Sequence, residues 1–207
     1  MSTQPEQPIN VQHAIEQLIT GQSLSYADAK ALFDEIMQGN MSEIELTALL
    51  ISLKIKGEVS DEIAGAAASM RENAVAFTTS STQLADSCGT GGDGSNTINI
   101  STTAAIVAAA AGINMVKHGN RSVSSNSGSA DLLKALGINI DMSPEQAAKC
   151  LEQTNFTFLF APHYHSGVRH AMGVRTALKT RTIFNILGPL ANPAAPDVQL
   201  LGVYNEA

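Results

Sequence analysis

At 207 residues, 44% of them hydrophobic, the chain is long enough to bury a sizeable core in one domain or two. A formal net charge of −7 argues against a general nucleic-acid binder, and no apolar run reaches the length of a membrane span. The two cysteines give no disulfide framework, and the opening MSTQPEQP lacks the basic and apolar parts of a secretory leader, so the cytoplasm is the expected location.

The first third reads as helices. Val11 to Ile19, Tyr26 to Gln38 after Ser25, Glu43 to Lys56 after Ser42, and Asp61 to Asn73 after Ser60 each carry an apolar face, separated by glycine or serine signals. Ser42 and Glu45 form a capping box, and Gly39 and Gly57 are natural helix stops. The polar run from Thr78 to Thr82 then reads as a hinge. The expected organisation is a helical domain over residues 1–77, a hinge over 78–83 and an α/β domain over 84–207.

From Leu84 onward strands and helices alternate, which calls for a mostly parallel sheet covered by helices. The expected strands are Leu84 to Cys88, Ile113 to Val116, Phe156 to Phe160 and Val198 to Tyr204. Between them fall an alanine-rich helix from Ser101 to Ala111, with Ser101 as its N-cap, and a helix opened by Ser143-Pro144-Glu145-Gln146.

The chemistry is concentrated between Asp86 and Ser129. Gly89-Thr90-Gly91-Gly92-Asp93-Gly94 holds four glycines in six residues, a run that is costly in any regular element. Such glycines turn successive N–H groups toward one point and make an anion-binding nest, and a helix N-terminus behind them adds a positive dipole end. Gly89, Gly91 and Gly94 also satisfy the dinucleotide spacing, but the helix does not open within the loop and Lys117 follows the next strand where an acid is needed. The nucleoside-triphosphate loop fails as well, because Ser95 stands where its lysine belongs.

A second loop supports the same reading. Lys117-His118-Gly119-Asn120-Arg121 is followed by Ser122, Ser124, Ser125, Ser127 and Ser129, so two cations sit among hydroxyls and loop amides. Two such loops after consecutive strands belong at the carboxyl ends of an α/β sheet, where ligands bind. Together they read as a cradle for a phosphorylated substrate.

These residues resemble a known family. GTGGD, Asn99-Ile100-Ser101-Thr102, Lys117-His118-Gly119-Asn120-Arg121 and Arg181-Thr182-Ile183-Phe184-Asn185-Ile186-Leu187-Gly188-Pro189-Leu190-Ala191-Asn192-Pro193 are similar, in order, to the motifs of anthranilate phosphoribosyltransferase. The resemblance implies transfer of a phosphoribosyl group from 5-phosphoribosyl 1-diphosphate (PRPP) to the amine of anthranilate, with diphosphate released, in tryptophan biosynthesis. It implies Mg2+ as cofactor, a homodimer through the helical domain, and an acceptor held in the cleft between domains by a helix near 165–179 packing back on the helical domain.

Carried over residue by residue, the resemblance places Gly89, Gly92, Asp93, Thr97, Asn99, Ile100, Ser101 and Thr102 on PRPP, with Ser101 as metal ligand. It continues that pocket through Lys117, His118, Gly119, Asn120, Arg121, Ser122, Val123, Ser124, Ser125 and Ser129. Gly89, Asn120 and Arg175 are the expected anthranilate contacts, and no side chain is assigned as acid or base. Read from its helix alone, beside Arg169 and Lys179, Arg175 is an ordinary solvated charge.

Other residues are expected to carry little chemistry. His163 and His165 have no cysteine or carboxylate nearby to complete a metal site and read as a polar loop. Cys88 reads as a small buried residue ending a strand, and Cys150 as core.

The chain stops at Asn205-Glu206-Ala207, whereas the resembled family continues and later supplies an Asp-Glu pair for magnesium. A truncated sheet with an open edge and little or no turnover is therefore expected. Three alternatives stand beside this reading: a pyrimidine nucleoside phosphorylase, which the Asn120-Arg121 and GPLANP segments fit less well; a non-catalytic nucleic-acid-binding relative; and a plain phosphate-binding fragment.

Overall fold

The computed structural model describes residues 9–91, 98–121 and 128–203. The polypeptide divides into two compact units, one of residues 1–73 and 166–187, the other of residues 74–165 and 188–207.

The first unit is helical: α1 (Val11–Ile19), α2 (Tyr26–Gln38), α3 (Glu43–Lys56), α4 (Ser60–Glu72) and α9 (Arg169–Leu178). Ser25 Oγ accepts from Asp28 N, and the Ser42–Glu45 capping box forms as expected, so the free N–H groups of α2 and α3 are satisfied by their own sequences. One start differs from expectation. Ser60 is not the cap of α4 but its first residue; Val59 precedes the helix, and its N–H is taken by Glu62 Oε2 at 3.0 Å.

Leu32, Phe33 and Ile36 of α2 and Leu49, Leu50 and Leu53 of α3 are buried, each contributing about 1.5–3 kcal/mol through removal from water. The α2 and α4 backbones approach closely at Gly65, where a Cβ would sit 2.9 Å from Lys30 N. Alanine at that place would force the helices apart.

The second unit is built on a parallel sheet of β1 (Leu84–Gly89), β2 (Asn114–Gly119), β3 (Phe156–Phe160) and β4 (Val198–Gly202), in the order β3-β2-β1-β4. One face packs against α5 (Ile100–Ala110), through Ala105, Ala109 and Met115, and against α6 (Ser129–Ala135), through Ala130, Leu133 and Phe158. The other packs against α7 (Pro144–Thr154), through Leu84, Val116, Leu159, Ala147 and Leu151. A strand sends alternate side chains to opposite faces, so β2 gives Met115 and Lys117 to the first face and Val116 and His118 to the second. Two shorter helices are α8 (Ala161–Tyr164), and α10 (Phe184–Leu190), which contributes its residues to 187 to the first unit and the rest to the second.

Two expectations are corrected here. β2 does not end at Val116 but runs through Lys117 and His118 to Gly119, pairing Lys117 with Phe158 and His118 with Leu159 of β3. α5 begins at Ile100 with Asn99, not Ser101, as its cap; the Asn99 carboxamide accepts from Thr102 N at 3.0 Å. No helix of the described residues is long and apolar enough to cross a membrane.

Candidate active site

β1 and β2 lie side by side, and the loop that leaves each starts from a glycine, Gly89 and Gly119, at the carboxyl end of its strand. Beside β1 stands the N-terminus of α5, where Ser87 Oγ lies 3.5 Å from the Ser101 carbonyl, with Asn99 as cap and Ile100, Ser101 and Thr102 in the first turn. The second loop leads to the start of α6, where Ser129 Oγ donates to the Asn120 carbonyl at 3.2 Å. A Cβ on Gly119 would lie 2.9 Å from the Phe158 ring and would collide with Ser129 Oγ, so glycine is what lets the strand end against α6. Gly92, Asp93, Thr97, Ser122, Val123, Ser124 and Ser125 lie outside the described residues.

Lys117 is 2% exposed, not a loop cation as its motif suggests. Its ammonium donates to the Ser87 carbonyl of β1. Burial lowers its pKa, opposed by the Asp86 carboxylate and Cys88. Asp86 is equally buried; desolvation raises its pKa, opposed by Asn192, Lys117 and Gln199. Asn192 Nδ2 donates to Asp86 Oδ2 at 3.0 Å and to the Val116 carbonyl at 2.8 Å. Gln199 Nε2 lies 3.4 Å from the same carboxylate oxygen and donates to the Pro189 carbonyl at 2.7 Å. The GPLANP segment is thus tied to the sheet through a buried polar network. Asp86, Asn192 and Gln199 carry no local motif; the acid between Ala85 and Ser87 inside a strand was the available signal.

His118 points away from Lys117, into the α7 face. Its Nδ1 lies 3.3 Å from the Gly188 carbonyl and its ring meets His165 edge to face, with centroids 5.0 Å apart. Burial pulls its pKa down to about 3, with the neighbouring His165 adding to the effect. The histidine pair expected to form a polar loop is split: His165 is 6% exposed, whereas His163 lies within α8 and places Nε2 3.4 Å from Asp141 Oδ1. Arg121 reaches the Phe160 ring, 6.0 Å from its centroid, and His163 meets the same ring edge-on.

Cys88 is half-buried, and burial first, then Asp86, pushes its thiol up to about 12, which removes it as a nucleophile. Cys150 is not the core residue expected; it is half-buried on α7, 3.8 Å from Thr154 Oγ1.

Arg175 belongs to the helical unit, on α9, and is not the solvated charge that its helix alone suggests. It is half-buried, desolvation lowers its pKa, and no carboxylate pairs with it among the described residues. Its guanidinium Cζ lies 4.9 Å from the Phe184 ring centroid. A desolvated cation without a counter-charge is poised for an incoming anion.

No group of three or more His, Cys, Asp or Glu that could hold a metal exists among the described residues. Ser101, half-buried in the first turn of α5, offers one hard oxygen. One neutral hydroxyl suits only a metal that takes most of its coordination from water and substrate phosphates, as Mg2+ does.

The sequence matches the helical bundle domain of a glycosyl transferase family over residues 12–74 and the α/β domain of the same family over residues 81–207. The chain belongs to this family. The recognised resemblance is borne out at high identity: the chain is 81% identical to the anthranilate phosphoribosyltransferase of Pseudoalteromonas translucida, over 99% of this chain and 61% of that protein. Among solved structures it is similar to the Thermus thermophilus anthranilate phosphoribosyltransferase (44% identity, TM-score 0.87, 93% of this chain and 59% of that one). It is also similar to the Saccharomyces cerevisiae enzyme in complex with PRPP and Mg (30% identity, TM-score 0.84, 95% of this chain and 59% of that one). The chain therefore spans about three-fifths of the length of the relatives it matches.

Proposed function

We propose that the whole protein transfers the phosphoribosyl group of PRPP to anthranilate, and that the described residues supply its diphosphate cradle and one acceptor contact. The observation that carries this reading is the pair of glycine-ended strands, β1 and β2, whose loops leave side by side beside the α5 N-terminus. The relatives are anthranilate phosphoribosyltransferases, which favours this reading over a pyrimidine nucleoside phosphorylase.

The ribose C1–O bond breaks as the C1–N bond to the aromatic amine forms, diphosphate leaves with the electron pair, and the amine gives up a proton. An aryl amine is neutral and nucleophilic near pH 7, so the demand falls on the leaving group and not on a general base. Backbone N–H groups at the α5 N-terminus stabilise charge that grows on diphosphate, and the exposed Arg121 adds cationic character from the loop after β2, while the buried Lys117 holds β1 and β2 together through the Ser87 carbonyl. Mg2+, when bound, supplies further charge neutralisation on the phosphate oxygens, with the Ser101 hydroxyl as its protein ligand. Arg175 holds the anthranilate carboxylate, to which a planar guanidinium is matched in shape and charge.

The same reading includes a homodimer through the helical unit. Glu43, Ile44, Thr47 and Ile51 of α3 and Gly173, Val174 and Ala177 of α9 line an open apolar groove of about 630 Å³. Ile44 and Ile55 on α3 are 84% and 80% exposed. Replacing both with aspartate should yield a monomer by sedimentation.

The decisive experiment is calorimetric titration of PRPP with Mg2+ into the protein and into Arg121→Ala. Binding weakened about tenfold in the variant is expected from loss of a charged phosphate contact by the exposed Arg121. Equal affinity in the two proteins would remove Arg121 from the cradle.

A further inference from the structure

Phe184 stands in the RTIFN segment, which the diphosphate cradle does not use, yet it is the residue that Arg175 leans on. Its ring is 5% exposed and opens α10. The Asn185 carboxamide accepts from Thr182 N at 3.0 Å and fixes the turn before that helix. Behind it lies Phe33 of α2, 1% exposed, with ring centroids 5.5 Å apart and planes tilted by 52°. Phe184 is therefore held from behind and in front of it sits the Arg175 guanidinium, at 4.9 Å. That guanidinium also makes a weak contact, its Nη1 lying 3.8 Å from the Met172 sulfur.

We infer that Phe184 is the positioning residue for Arg175, an aromatic platform that orients the guanidinium for the carboxylate of the acceptor without neutralising it. The inference rests on the reading of Arg175 as the acceptor contact. A carboxylate in the place of Phe184 would also hold the arginine, but it would occupy the N–H fork and cancel the charge on which the ligand depends. A ring attracts the cation through its quadrupole and takes no hydrogen bond. The N–H edge stays available for a planar anion, and the side chain has lost its freedom before the ligand arrives, which lowers the cost of binding. The ligand group that such a platform selects is a planar carboxylate.

The test titrates anthranilate and its uncharged relative 2-aminobenzamide into the protein, Phe184→Leu, Phe184→Met, Phe184→Tyr and Arg175→Ala, with circular dichroism to show that each is folded. Leucine and methionine keep an apolar filler and lose the π face; tyrosine keeps both. Anthranilate affinity is expected to fall about tenfold in the leucine and methionine variants, to be retained in the tyrosine variant, and to change little for the amide in any of them. Equal loss for both ligands would make Phe184 a packing residue only and overturn the proposal. If Arg175→Ala weakens anthranilate and neither Phe184→Leu nor Phe184→Met does, the platform is wrong while the acceptor contact stands. Unchanged anthranilate binding in Arg175→Ala would remove the contact itself and the platform with it.

Discussion

Asn192 and Asp86 are 106 positions apart in sequence and joined by a 3.0 Å hydrogen bond in the interior, where the amide also reaches the Val116 carbonyl. That one side chain connects β1, β2 and the loop before β4.

Asn192→Ala should therefore cost about 2–4 kcal/mol, because it takes the nearest side-chain donor from a buried carboxylate, leaving it the longer Gln199 contact, and the same amide from the Val116 carbonyl. Urea unfolding followed by circular dichroism measures it. A loss under about 1 kcal/mol would mean that water replaces the amide and the bond is dispensable.

His118 sets a pH dependence of stability. Its folded pKa lies near 3, below the ordinary value of 6.5, so between these values the unfolded chain binds more protons than the folded one. Stability then rises with pH across this window and is lost as pH falls through it, by about 1.4 kcal/mol per unit at most. Unfolding curves at pH 7 and pH 5 should differ by about 1–2 kcal/mol, and His118→Gln should flatten that difference. An unchanged slope in the variant would assign the dependence elsewhere.

Glu62 is fully buried on α4 and accepts from Leu24 N at 2.9 Å, Val59 N at 3.0 Å and the Lys56 ammonium at 3.0 Å. Removing one partner of a buried pair strands the other charge, so Glu62→Ala should lose about 3–5 kcal/mol, read as a drop in Tm. The double variant Glu62→Ala with Lys56→Met should recover part of it. A double variant no better than the single one would show that the two backbone N–H groups, and not the ammonium, depend on Glu62.

Cys88, with its thiol raised to about 12, should resist iodoacetamide at pH 8 in the folded protein and react normally after unfolding. Peptide mapping by mass spectrometry checks this. Rapid labelling of the native chain would show that β1 opens often enough to expose it.

Much of the fold was legible in the sequence. Ser25, Ser42 and Ser143 each announce a helix by offering a short oxygen to the N–H three residues on, and the chain obeys all three. Ser60 and Ser101 carry the same letter and are not caps. In the first case Glu62 reaches back to Val59, and in the second Asn99 is reached first, so local competition between acceptors decided the start. The end of β2 misled for another reason: Lys117 and His118 are polar by letter but buried by tertiary pairing with β3 and by the Ser87 carbonyl. The site was legible as two loop motifs because glycine and serine advertise themselves locally. The Phe184 platform and the Asp86 network were not, since both join residues distant in sequence.

β2 places Lys117 toward α5 and α6 and His118 toward α7, two adjacent basic residues in two unlike surroundings. A slip of one position would carry the ammonium in beside His165 and hand the imidazole to the Ser87 carbonyl. The strand thus works as a sorting rail: its pairing with β1 and β3 decides which of two buried neighbours is held on the Ser87 carbonyl and which is the neutral ring beside His165. Insertions or deletions between Asn114 and Gly119 should therefore be tolerated far less than any single substitution there, because they would exchange the two roles at once.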